Sequence, residues 1–147
     1  MQRVTVLGSI NLDHILHIKR VPTPGETLAM QNLTQAPGGK GANQAIAAVR
    51  SGAEVHFVGR IGSDDAGQHL HAILADNGID LTAVKVDPDH QTGQAYVMLQ
   101  DDGQNSILIY GGANQTLSVD QLDLASTALD SSTWIVAQCE TPVTVPE

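Results

Sequence analysis

Between Ala36 and Gly52 the chain reads Ala-Pro-Gly-Gly-Lys-Gly-Ala-Asn-Gln-Ala-Ile-Ala-Ala-Val-Arg-Ser-Gly. Three glycines around Lys40 describe a backbone that bends sharply and lets a ligand approach closely, because without a Cβ it reaches positive φ and presents bare N–H groups. The alanine-rich run from Ala42 to Val49 predicts a helix, and Gly52 stands where a left-handed residue ends one. A glycine loop feeding a helix N-terminus suits a polar or anionic ligand, since unpaired N–H groups and the positive dipole end point outward. Two common phosphate signatures are excluded. A dinucleotide fingerprint needs glycine at position 44, where Gln44 stands, and a P-loop needs Ser or Thr after the Gly-Lys pair, where Gly41 stands. A plain turn has no use for both Lys40 and Asn43, so this loop reads as more than a connector.

Other polar residues fall at expected strand ends. Residues 4–10 form a short apolar run of the kind buried on both faces of a parallel sheet. Asn11 and Asp13 follow it immediately, and residues 133–138 form a third core strand with Cys139 and Glu140 at its carboxyl end. Ligands of open α/β sheets sit outside the carboxyl ends of strands. Asn and Asp also make ordinary turns, and composition alone favours that reading for Asn11 and Asp13. Cys139 reads as a small buried hydrophobe without a neighbouring base. His69 and His71 lie two apart on one helix and face different ways, so no metal pair is expected, nor any metal site.

The intervening elements follow from periodicity. Residues 54–59 read as a second core strand, and Leu70, Ile73 and Leu74 mark a helix closed by Asn77-Gly78. Residues 84–86 read as a short strand, and residues 119–124 as a brief helix capped by Ser118. Residues 14–20 and 27–35 flank the turn Pro22-Thr23-Pro24-Gly25, and residues 92–100 and 106–110 flank Asp101-Asp102-Gly103, giving two hairpins outside any βαβ rhythm. Together they predict an antiparallel sheet apart from a parallel core. Thr141-Pro142 is a helix-opening signal with too few residues after it for a helix, so the chain looks cut there.

The 147 residues suffice for one domain, and the net charge of −9 argues against nucleic acid or an anionic membrane as partner. One cysteine permits no intrachain disulfide, no apolar run is long enough to span a membrane, and the cytoplasm is the simplest compartment.

Gly38-Gly39-Lys40-Gly41-Ala42-Asn43-Gln44-Ala45 with Gly52 and Gly62, preceded by Gly8-Ser9-Ile10-Asn11-Leu12-Asp13-His14 and by Pro22-Thr23-Pro24-Gly25-Glu26-Thr27, resembles the first signature of the ribokinase-like carbohydrate kinases. The agreement runs in order to Glu140, matching the N-terminal half of such proteins. The resemblance implies a Rossmann-like α/β fold, a parallel sheet core flanked by helices, with a small antiparallel β lid. Residues 1–13, 36–91 and 111–147 would belong to the α/β domain, and residues 14–35 and 92–110 to a lid that also forms a homodimer contact. It implies an ATP-dependent kinase acting on the 5-hydroxyl of D-ribose with Mg²⁺ and a monovalent cation, K⁺. Asn11, Asp13, Gly39, Lys40, Asn43 and Glu140 would grip the sugar rather than a phosphate. The catalytic aspartate and most of the ATP and cation sites would lie beyond this chain, leaving it inactive alone. A non-catalytic sugar-binding module, or a kinase for another sugar or nucleoside, are the alternatives.

Overall fold

The computed structural model describes residues 2–142. In chain order the elements are β1 (Arg3–Leu7), β2 (Asn11–Ile18), β3 (Asn32–Gly38), α1 (Lys40–Arg50), β4 (Glu54–Gly62), α2 (Asp65–Asp76), β5 (Asp80–Asp87), β6 (Gly93–Gln100), β7 (Asn105–Tyr110), a 3-10 turn (Gly112–Thr116), α3 (Val119–Leu124), α4 (Ser126–Ser131) and β8 (Trp134–Ala137). The helix-opening signal at Thr141-Pro142 runs into residues 143–147, which lie outside the described residues.

The first sheet has the order β5-β4-β1-β8 with every pair parallel. Its central strands are apolar on both faces because both are covered. On one face Val6, Phe57 and Ile61 meet Ala42 and Ala45 of α1 and Leu70 and Leu74 of α2. On the other, Val58 and Ala83 meet Leu117, Ala125, Leu122 and Leu129. A side chain as enclosed as Phe57 contributes about 1.5–3 kcal/mol through burial. The helix–sheet–helix layering is the Rossmann-like α/β core that the resemblance implies.

Two glycines set how closely α1 meets β1. Gly39 precedes the helix at φ 92°, and a Cβ there would lie 2.6 Å from the Ser9 carbonyl oxygen. A Cβ on Gly41 would lie 2.7 Å from the Gly8 carbonyl carbon and the Ser9 nitrogen. The helix therefore begins against the end of β1, where the Ala42 N–H donates to the Ser9 carbonyl at 3.0 Å. At α2, Asp64 caps the first turn by accepting from the Gly67 N–H at 2.9 Å, and Gly78 at φ 81° follows the helix end.

The second sheet corrects several expectations. Its order is β3-β2-β6-β7, and β2 pairs parallel with β6, so the lid is a mixed sheet rather than an antiparallel one. The two hairpins are present as antiparallel pairs, joined through their first strands. Asn11 and Asp13 do not lie in a loop beyond β1; they open β2 itself, because the chain resumes extended structure after three residues. The return strand starts at Asn32 rather than at residue 27. Cys139 is exposed, not buried. At the first sheet's margin, β8 packs Val136 against the core and leaves Trp134 and Ile135 62% and 59% exposed, the uncovered edge expected of a last strand with no neighbour beyond it among the described residues. The 3-10 turn and α4 were not foreseen from the sequence, being too short to show a periodicity.

Candidate functional site

Asn11, Asp13, Gly39, Lys40, Asn43 and Glu140 line a single cleft of about 150 Å³ where the two sheets meet. Ala95, Val97, Ile107 and Ile109 of the lid sheet form its apolar wall. These residues share a face because register pairs Asp13 with Ala95 and Ala95 with Ile109, then Val97 with Ile107. Lys40 and Asn43, three residues apart on α1, share a helix face. Larger hollows exist, one of about 310 Å³ between the lid and α2, lined by Leu12, Gln35, Pro37, Asp65 and His69. The cleft at the sheet junction differs from it in gathering polar groups from β2, the start of α1 and the segment after β8.

Glu140 is held from several sides. Its Oε2 accepts from the Ser9 hydroxyl at 2.7 Å, its other oxygen from the Lys40 ammonium, and its backbone carbonyl from Gln115 Nε2 at 2.9 Å. Burial tends to raise its pKa, but the hydrogen bonds from Lys40 and Ser9 and the Lys40 charge outweigh it and hold the carboxyl below its ordinary value. Asp13 differs. Burial raises its pKa, His14 opposes that, and Glu140 adds to it, while no hydrogen bond from the described residues contributes. Gly38 makes room for this carboxylate, since a Cβ there would overlap both oxygens. Asp13 is therefore a half-buried acceptor awaiting donors.

Asn11 is buried, and its Oδ1 accepts from Asn114 Nδ2 at 2.8 Å. Asn114, Ser9, Gln115 and the apolar wall are absent from the residues singled out in the sequence. A polar residue following Gly111-Gly112-Ala113 reads as a turn former, and nothing local reveals its distant partner. Among the described residues no group of three or more His, Cys, Asp or Glu side chains converges to hold a metal, and no helix is long and apolar enough to cross a membrane.

The cleft carries two carboxylates against one ammonium, and the ammonium is already paired. Such a lining disfavours an anion and favours a ligand rich in hydroxyls, which donate to carboxylates and accept from amides.

Known proteins resemble this chain along most of its length. The family described as pfkB family carbohydrate kinase matches residues 1–139. A ribokinase of Haemophilus influenzae is 41% identical over 140 residues, covering 95% of this chain and 46% of its own length. A bifunctional ribokinase/ribose-5-phosphate isomerase A of Fructilactobacillus sanfranciscensis is 39% identical over 144 residues, covering 97% of this chain and 27% of its own. The structure of Arabidopsis thaliana ribokinase complexed with ribose and ATP superposes with a TM-score of 0.83 at 37% identity, covering 97% of this chain and 47% of that one. The chain thus spans less than half the length of each of these relatives.

Proposed function

The chain belongs to the pfkB family of carbohydrate kinases, and from that premise we propose that its cleft holds D-ribose in a kinase that transfers the ATP γ-phosphoryl group to the sugar 5-hydroxyl. The observation that carries this reading is the charge balance of the cleft, in which Asp13 and Glu140 face the single ammonium of Lys40 beside two amides. A sugar hydroxyl offers a proton to each carboxylate and lone pairs to each amide, so every buried polar group finds a partner.

The residues of this chain bind and orient. Asp13 accepts from sugar hydroxyls that replace its lost hydration, Glu140 is preset by Ser9 and Lys40, and Asn43 and the Gly39 backbone complete the polar side. Residues 14–35 and 92–110 act as a lid whose apolar wall keeps water from the reacting centre. ATP supplies the phosphoryl group, and Mg²⁺ with a monovalent cation such as K⁺ supplies charge neutralisation when bound. The described residues fit neither a metal nor a nucleotide phosphate, given the absence of a converging ligand set among them and the excess of carboxylates, so the roles assigned to them end at the sugar. No described residue is assigned as the base that takes the hydroxyl proton. On this reading the described residues hold the sugar without supplying the groups that phosphorylate it.

Calorimetric titration with D-ribose tests this reading. Binding is expected for the unmodified protein and is weakened by about 2–4 kcal/mol in Asp13→Ala, the range for removing a charged partner from an enclosed site. Addition of ATP, Mg²⁺ and K⁺ to the 147-residue chain is expected to yield no ribose phosphate. Equal affinity of both proteins, or steady turnover, contradicts it.

A further inference from the structure

Asn114 is 2% exposed and sits in the 3-10 turn between the lid and α3. Its Oδ1 accepts from the Ile10 N–H at 2.9 Å, while its Nδ2 donates to the Ile10 carbonyl at 3.1 Å and to Asn11 Oδ1 at 2.8 Å. A backbone N–H only donates and a carbonyl only accepts, so the two groups of Ile10 leave this side-chain amide a single orientation. The orientation passes on. Asn11 meets a fixed N–H from Asn114 and must answer with its oxygen, because its own amide there would set donor against donor. Gly93 keeps this contact closed, since a Cβ at that position would overlap both Asn114 Nδ2 and Asn11 Oδ1.

Resting on the sugar-binding reading, we infer that Asn114 is a positioning residue that fixes the orientation of Asn11, keeping its oxygen on Asn114 and leaving its N–H groups for the cleft. Asn11, which as an isolated side chain can turn either way, is then held in one orientation, with both N–H donors unused by Asn114. Asp13 stands on the same face of β2 two residues on, and as a carboxylate it offers only lone pairs. The pair sets a direction. The ligand atom at Asn11 accepts, and a hydroxyl at Asp13 donates, so a hydroxyl bridging the two is oriented in one sense only. The ligand class this selects is a polyol with an acceptor oxygen at the Asn11 position, which ammonium groups and other obligate donors do not supply.

Two measurements test the inference. In the labelled, sugar-free protein, scalar coupling across the hydrogen bond is expected from the Asn114 side-chain nitrogen to the Asn11 side-chain carbonyl carbon. Coupling in the opposite sense, or none, overturns the assignment without reference to any sugar. The second compares D-ribose with its monodeoxy and monofluorodeoxy analogues by calorimetry. At one position, loss of the hydroxyl should weaken binding about tenfold while fluorine, which accepts but cannot donate, weakens it less. In Asn114→Ala that difference should close, because Asn11 is free to turn. Persistence of the difference in Asn114→Ala, or its absence at every position in the unmodified protein, overturns the proposal. If ribose itself fails to bind, the sugar reading falls, and the coupling measurement still decides whether Asn114 fixes Asn11.

Discussion

Burial raises the Asp13 carboxyl above its ordinary pKa, against the opposing influence of His14 and with Glu140 adding to it. A carboxyl raised on folding contributes most when protonated, and that contribution is lost as pH rises through the folded-state value. At neutral pH, therefore, the ligand-free protein carries a strained charge. Asp13→Asn removes that charge at little change in shape, so it should raise the melting temperature near neutral pH while weakening ribose binding. Thermal unfolding across pH checks the sign: the advantage of Asp13→Asn should vanish as acid protonates Asp13 in the unmodified protein. An Asp13→Asn protein that melts no higher than the original at neutral pH contradicts the account. The six residues singled out for the cleft came from the resemblance to ribokinase-like kinases, beside the glycine spacing and strand-end positions that drew attention to them; composition alone favoured ordinary turns for Asn11 and Asp13. Asn114 was not, since its partners lie 103 and 104 positions away and an Asn beside glycines looks like turn chemistry.

The element that organises the site is the 3-10 turn Gly112–Thr116. Its Asn114 holds β2, its Gln115 holds the Glu140 backbone, and its Thr116 hydroxyl donates to buried Asp87 at 2.5 Å. Asp87 also accepts from the Asp89 and His90 N–H groups at 2.9 and 3.0 Å and lies 3.8 Å from Arg60 Nε. The Thr116 hydroxyl chiefly, with these further donors, holds the Asp87 carboxyl well below its ordinary value against the effect of burial. Asp87→Ala leaves the Asp89 and His90 N–H groups without an acceptor and should cost about 1–3 kcal/mol. A depressed pKa contributes stability that is present above the unfolded-state value and lost as pH falls toward the folded one. The stability gap between the two proteins should thus be constant near neutrality and narrow only in acid. A gap that ignores acid would remove Asp87 from the role of anchor for the turn. Helix α1 was legible from its alanine-rich run between the glycine loop and Gly52, and α2 from its apolar periodicity and Gly78, whereas this five-residue turn has no periodicity to show.

Across the whole molecule, the parallel core was readable as apolar runs alternating with helices, but the parallel pairing of β2 with β6 was not. Turn residues specify each hairpin locally, while the register of Asn11 with Gly93 joins segments far apart in the chain and is set by packing. The lid that results exposes apolar side chains, with Leu33 52% and Leu108 63% accessible on the face away from the cleft. We propose that a second copy covers the lid. Leu33→Asp should then give monomers by light scattering, and a dimer indifferent to it and to a charge at Ile107 on the other face would place the interface elsewhere.

That the cleft at the junction of the two sheets holds the sugar is our proposal, and residue-by-residue amide spectra recorded during titration with D-ribose test it most directly. Saturable shifts are expected at Asn11, Asp13, residues 39–43, Ala95, Val97, Ile107, Ile109 and Glu140, with inorganic phosphate leaving them in place. Ribose shifts confined to the hollow between the lid and α2, or phosphate saturating the cleft where ribose does not, would contradict the assignment.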